Sequence, residues 1–190
     1  MNQEIEIEFK CLLSKEQFDQ LVESFHPGPF TTQHNHYFDT ADFSLKEAGA
    51  ALRIREKNGR AEMTLKEPAE VGLLESTVAL SNDDVTASLS GGIPDNDVMA
   101  AARKHTGKNA VFHFGTLSTT RAEIDYKGGL LVFDHSTYVN HEDYEIEYEA
   151  KDLSGEQTFL ALLNSFNIEY IPAENKIRRF YHAQFQNGGH

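Results

Sequence analysis

The sequence predicts an α+β fold built on an antiparallel sheet. Segments of strict apolar and polar alternation recur along the chain, the period of a strand whose two faces meet different surroundings. Short turn signals join most of these segments, among them Asn58-Gly59, one of the strongest two-residue hairpin signals. A few stretches with helical spacing interrupt the strands without alternating regularly with them, which favours α+β over a parallel α/β sheet. About eight strands are expected.

Taken in order, the first strand runs through Glu4-Ile5-Glu6-Ile7-Glu8-Phe9-Lys10, with Glu4, Glu6, Glu8 and Lys10 on one face and Ile5, Ile7, Phe9 and Cys11 on the other. Ser14 with Gln17 has capping-box spacing, and Phe18, Leu21, Val22 and Phe25 make the following segment an amphipathic helix. His26-Pro27-Gly28-Pro29 ends it. A polar strand over 31–39 leads into Tyr37-Phe38-Asp39-Thr40, then a turn of helix over 42–47 closed by Gly49. The hairpin pairs 51–57 with 60–67, ended by Pro68, and a further strand covers 73–80. Residues 81–107 read as a helical connection, with one short apolar helix through Val98, Met99, Ala102 and Arg103. Strands return over 111–126, 130–139 and 144–150, separated by turns at 127–129 and 140–143. Ser154, with Gln157 at the box position, opens a helix to Phe166, and a last helix after Pro172 carries Lys176, Ile177, Arg178, Phe180 and Tyr181.

Composition excludes several classes. The formal charge of −13, from 17 Lys plus Arg against 30 Asp plus Glu, opposes binding to duplex nucleic acid or an anionic membrane. No long apolar run resembles a membrane span and no secretory signal is evident. The single cysteine, Cys11, cannot form an internal disulfide, which fits a cytoplasmic protein. The 190 residues suit one domain over 1–185, with a disordered tail over 186–190. His34 and His36 share a strand face, but no further ligands follow at zinc spacing, and neither Gly91-Gly92 nor Gly128-Gly129 has a phosphate-loop context. Nothing marks a nucleophile elbow.

The charged strand faces carry both signs. Arg53, Arg55 and Lys57 lie opposite Leu52 and Ile54; Glu62, Thr64 and Lys66 lie opposite Met63 and Leu65; Glu145, Glu147 and Glu149 lie opposite Ile146 and Tyr148. Two architectures fit this pattern: a flat sheet with one solvated face, or a barrel with the charges inside. An interior so charged would need a highly charged ligand to balance it. Lys10, Arg53, Arg55, Lys66, Arg121 and Lys176 supply fixed positive charge suited to phosphate oxygens. Glu6, Glu8, Glu145 and Glu147 supply hard oxygen ligands for Mg²⁺ or Mn²⁺. Together they have the composition of a metal–polyphosphate site.

Glu6-Ile7-Glu8-Phe9-Lys10 resembles the ExExK signature of the CYTH family, the triphosphate tunnel metalloenzymes. Leu52-Arg53-Ile54-Arg55, Thr64-Leu65-Lys66, Thr120-Arg121, Phe133-Asp134, Glu145-Ile146-Glu147 and Lys176 follow in the family's order, and the pattern is most similar to its bacterial YjbK-like branch. The resemblance implies a closed eight-stranded antiparallel β-barrel, a tunnel with a hydrophilic interior flanked by helices. It implies metal-dependent hydrolysis of a triphosphate, with Mg²⁺ or Mn²⁺ as cofactor; inorganic triphosphate is the leading substrate, because no aromatic pocket or base-reading motif demands a nucleoside. Matched residue by residue, Glu6, Glu8, Glu145 and Glu147 stand at metal-holding positions, with Asp134 near the metals. Lys10, Arg53, Arg55, Lys66, Arg121 and Lys176 stand at triphosphate-gripping positions.

Two departures bear on mechanism. Thr119 stands where some relatives have a Lys proposed as general base, and Leu74-Glu75-Ser76-Thr77 replaces an Arg-Glu-x-Glu pattern, keeping only Glu75. Water activation then falls to a second metal or to a carboxylate, so Glu145, Glu147 and Arg121 are the expected catalytic residues. The competing expectations are a class IV-type adenylate cyclase and a catalytically weak protein that binds polyphosphate or nucleotide. The expected partner is a small triphosphate or nucleotide, and the expected assembly a monomer or homodimer.

Overall fold

The computed structural model describes residues 1–186; 187–190 lie outside the described residues, and with them the expected tail apart from Gln186, the last residue of a helix. The elements run β1 (Asn2–Leu13), α1 (Lys15–Phe25), β2 (Thr31–Thr40), α2 (Ser44–Glu47), β3 (Ala51–Lys57), β4 (Arg60–Pro68), β5 (Leu73–Leu80), α3 (Asn82–Leu89), α4 (Asp97–Thr106), β6 (Val111–Tyr126), β7 (Gly129–Tyr138), β8 (His141–Ala150), α5 (Gly155–Ser165) and α6 (Lys176–Gln186). The strands close into an antiparallel barrel in the order β1-β5-β4-β3-β2-β6-β7-β8.

Local chemistry explains most boundaries. Asn58 and Gly59 both take positive φ, 52° and 72°, as a two-residue hairpin turn of this kind requires. Ser14 caps α1 as expected: its Oγ accepts from the Gln17 N–H, and the Gln17 side chain accepts from the Ser14 N–H. Asp39 of the Tyr37-Phe38-Asp39-Thr40 run is a structural carboxylate. It is buried and accepts from the N–H groups of Leu45 and Lys46 at 2.9 and 3.0 Å, so it satisfies the start of α2.

Three expectations are corrected. Residues 81–107 hold two helices, because Ser81 and Asp84 form a second capping box that opens α3. Ser154 does not cap α5: its backbone is already helical, and its hydroxyl turns back to Asp152. The turn expected over 140–143 is shorter, because His141 already pairs with Tyr138.

The chain divides into two compact units, 1–6 with 33–117 and 7–32 with 118–190. In the first, Phe38, Leu52, Ile54, Met63 and Leu65 pack with Leu45 of α2, Val85 of α3, and Val98, Met99 and Ala102 of α4. In the second, Cys11, Leu13, Leu131, Phe133, Ile146 and Tyr148 pack with Phe18 and Leu21 of α1 and Phe159, Leu162 and Leu163 of α5. Each fully buried side chain of this size contributes about 1.5–3 kcal/mol. The apolar strand faces are therefore the ones covered by helices, and the charged faces line the barrel interior. Asp134, Glu145 and Glu147 are buried as deeply as the apolar core. A flat sheet with a solvated charged face would have left them in water.

Candidate active site

Strand register assembles the site. Arg121 of β6 lies opposite Asp134 of β7, Asp134 opposite Glu145 of β8, and Glu147 opposite Lys10 of β1. Directly paired residues share a sheet face, so all five side chains point the same way.

Asp134, Glu145 and Glu147 each bring a carboxylate oxygen within 4.8 Å of the other two. Among the described residues this is the only such group of three potential ligands. Like charges that close require compensation. Arg121 supplies part of it, donating from Nε and Nη2 to the two Asp134 oxygens at 2.7 and 2.5 Å and from Nη2 to Glu147 at 2.8 Å. Lys176, at the start of α6, places its Nζ on all three carboxylates, 2.8 Å from Asp134 and in contact with Glu145 and Glu147. Arg179, one helical turn on, donates to Glu145 at 2.7 Å and to Asp143 at 2.9 Å. Tyr138 in turn donates its hydroxyl to Asp143. Lys10 pairs with Glu8.

The electrostatics separate the carboxylates. Burial pushes Glu145 up to about 7; Lys176 opposes that and Glu147 adds to it. Burial works the same way on Glu147 and Asp134, but the neighbouring cations outweigh it, Lys176 then Arg121 for Glu147 and Arg121 then Lys176 for Asp134, and both are held below their ordinary range. Burial alone would lower Lys176, yet Asp134, Glu145 and Glu147 hold it well above its ordinary range. Lys10 is likewise raised: burial would lower it, and Glu8 and then Glu147 prevail.

The first unit holds the remaining predicted residues. Lys66 pairs with Glu6 at 2.5 Å and also with Glu75. Burial would raise Glu75, but Lys66 and then Arg53 lower it. Arg55 donates from Nε to Asn35 at 3.0 Å. The Nε of Arg53 is buried with no hydrogen-bond partner. Glu4 is exposed.

Of the five sequence-predicted metal ligands, the structure draws Asp134, Glu145 and Glu147 into the convergent group, while Glu6 and Glu8 each pair with a lysine. Arg121, expected on phosphate, lies on carboxylates. The Thr119 hydroxyl bonds Ser136 at 3.0 Å, both residues buried. His36 is held between Thr116 and Glu56 by 2.8 Å contacts, which accounts for its burial without a metal.

A family model for the CYTH domain matches residues 4–181. The chain belongs to the CYTH domain family. It is 48% identical over 185 residues to YjbK of Bacillus subtilis (strain 168), named a candidate triphosphatase, covering 95% of this chain and 96% of that one. A crystal structure from Bacillus halodurans, described as a candidate adenylate cyclase, is 46% identical with a TM-score of 0.90 and covers 95% of this chain and 100% of its own. A Hippeastrum protein, described as a candidate adenylyl cyclase with dominant triphosphatase activity, shares the fold at 22% identity with a TM-score of 0.80, covering 95% of this chain and 97% of its own. In this CYTH domain the residue that sequence reasoning missed is Arg179. The legible signal was its spacing three after Lys176 on the last helix, which puts both cations on one face.

Proposed function

We propose that this chain is a metal-dependent triphosphatase whose leading substrate is inorganic triphosphate. The observation that carries this reading is the buried convergence of Asp134, Glu145 and Glu147 with Lys176 already lying on all three. Three hard oxygen donors fit Mg²⁺ or Mn²⁺, and a cation is already stable at the point where they meet. The close relation to YjbK, named a candidate triphosphatase, supports the same reading.

Asp134, Glu145 and Glu147 would hold the divalent cation, which supplies a Lewis acid that polarises phosphate oxygens. The chain's own groups do the rest. Arg121 keeps Asp134 and Glu147 in fixed orientation through its three contacts. Lys176, released from the carboxylates, becomes a point charge for phosphate, as does Lys10. Arg53 has a buried donor without a partner, the state expected of a group that waits for an anion. Arg55 and Lys66 of the first unit are further cations suited to phosphate, and Glu6 and Glu8 are further carboxylates. Water attacks the terminal phosphorus in line, and the cations stabilise the departing diphosphate. Thr119 cannot serve as base, because its hydroxyl does not ionise near neutrality and is tied to Ser136. The reading includes a cytoplasmic location, with no duplex nucleic acid as partner. No helix among the described residues is long and apolar enough to cross a membrane.

The test is phosphate release by purified protein with Mg²⁺ or Mn²⁺ from inorganic triphosphate, ATP and thiamine triphosphate. Absence of release from every member of that panel removes the reading. A second reading, adenylate cyclase, is favoured by the description of the Bacillus halodurans structure and by the buried, unpartnered Oε1 of Gln33, which could accept from an amino group. Conversion of ATP to cyclic AMP and pyrophosphate would decide for it.

A further inference from the structure

Arg179 holds two acidic side chains and still has donors left over. Nε donates to Asp143 at 2.9 Å, and Nη1 donates to Glu145 and to the Glu174 carbonyl, both at 2.7 Å. Nη2 is buried and has no hydrogen-bond partner. The side chain is only 10% exposed. Leaving a buried guanidinium nitrogen unbonded is costly, so the arrangement calls for an acceptor that the protein does not itself supply.

The surroundings specify what that acceptor is. Glu145 is bound on Oε1 by Lys176 and on Oε2 by Arg179, so the two α6 cations flank one carboxylate of the proposed metal group. Asp143 is steadied by the Tyr138 hydroxyl, and the Glu174 carbonyl fixes the opposite edge of the guanidinium. The fork is therefore held from two sides with one nitrogen open. A planar, permanently charged donor held in this way suits an oxygen of a phosphoryl group better than a neutral acceptor.

We propose that Arg179 is a further substrate-binding residue, donating from Nη2 to a phosphoryl oxygen of the triphosphate, with Asp143 as the residue that positions it. This inference rests on the triphosphatase reading. A merely structural Arg179 would instead tie α6 to β8 and contribute nothing to substrate affinity.

The experiment compares wild-type, Arg179→Ala, Arg179→Lys and Asp143→Asn proteins, with steady-state kinetics on inorganic triphosphate at saturating Mn²⁺ and a thermal unfolding scan of each. Loss of one charge-assisted contact should raise KM about 10- to 100-fold in R179A with a much smaller change in kcat. R179K should fall between R179A and wild type, since charge is kept and the fork is lost. D143N should show a weaker rise in KM. An unchanged KM in R179A and R179K, with a drop only in kcat or in the unfolding midpoint, overturns the assignment and leaves Arg179 a structural tie. If R179A does not fold, R179K and D143N carry the same KM-against-kcat distinction. If wild-type protein neither turns over nor binds triphosphate, the functional reading falls and this assignment with it; if wild type is active and the variants match it, only Arg179 is reassigned.

Discussion

The two compact units use the same strand rule to build different chemistry. In both, apolar residues face the helices and charged residues face inward. In the second unit three carboxylates converge, and Arg121, Lys176 and Arg179 are drawn onto them. In the first, Lys66 bridges Glu6 and Glu75, and the Arg53 Nε is left without a partner. A surplus of buried carboxylate attracts cations, whereas an unsatisfied buried arginine attracts anions. The same composition of Arg, Lys and Glu thus gives three convergent carboxylates under cations in one unit and a lysine between two glutamates in the other. Each unit also leaves a buried arginine donor without a partner, Nη2 of Arg179 in the second and Nε of Arg53 in the first.

Substitutions can break that distinction. The largest effect is expected for Glu147→Gln, which removes a member of the convergent group and a partner of both Lys176 and Arg121. Metal-dependent phosphate release should fall by about 1,000-fold or more; near-normal release would mean that this group is not the metal site. Arg121 and Arg53 then form a matched pair. Arg121→Ala leaves Asp134 and Glu147 with Lys176 as their shared cation and takes away three charge-assisted hydrogen bonds, so it should destabilise the protein by about 2–4 kcal/mol, measured by denaturant unfolding. Arg53→Ala removes a group with an unsatisfied donor. It should leave the unfolding midpoint nearly unchanged while raising KM for triphosphate about 10-fold. Equal stability losses in the two variants would erase the contrast.

The pH dependence of the metal-free protein sharpens it further. Glu145, pushed up to about 7 by burial against an ordinary value of 4.5, keeps a proton that the unfolded chain has already lost. The folded state then binds more protons, so this group's contribution makes stability fall as pH rises between about 4.5 and 7. Glu147 and Asp134, held low, contribute stability above their ordinary range that is lost in acid. Thermal midpoints should therefore decline from pH 5 to 7 in wild type and run flatter in Glu145→Gln. A wild-type midpoint that climbs through this window, or an equal slope in the variant, would contradict the assignment. Added Mn²⁺ should raise the midpoint at pH 7 and not in Glu147→Gln.

The smallest effect concerns turns. In the first unit, β3 and β4 are joined by Asn58-Gly59, residues suited to positive φ. In the second, the β7–β8 connection puts Val139 at φ 52°, where a β-branched side chain is strained. Val139 is half exposed, so Val139→Asn should stabilise the protein by about 1 kcal/mol, visible as a small rise in the unfolding midpoint.

Most of the secondary structure was legible because each signal was local. Ser14 and Gln17 cap a helix wherever it goes, and Asn58-Gly59 turns a hairpin without outside help. The helix α3 was missed although Ser81 and Asp84 carry the same signature, because Asp in place of Glu or Gln at the box position weakens the pattern. Ser154 shows the opposite failure, a cap signature overridden by its neighbour Asp152. At the candidate site, residue types and faces were legible while partners were not. Arg121 rests on Asp134 and Glu147, partners set by strand register, whereas Lys10 rests on Glu8, its same-face neighbour two residues back in β1.

The sequence by itself determined the strand faces, the family and the list of charged residues, because alternation with period two and motif order are properties of a line of residues. Alternation left open whether the charged face is the inside, which the family resemblance implied and the structure decided; only the tertiary structure showed how closely Asp134, Glu145 and Glu147 meet, and that Lys176 lies on all three while Arg179 joins it on Glu145. Burial and convergence arise from closing the sheet and docking the last helix. Both bring together residues far apart in the chain, and no local pattern encodes those distances.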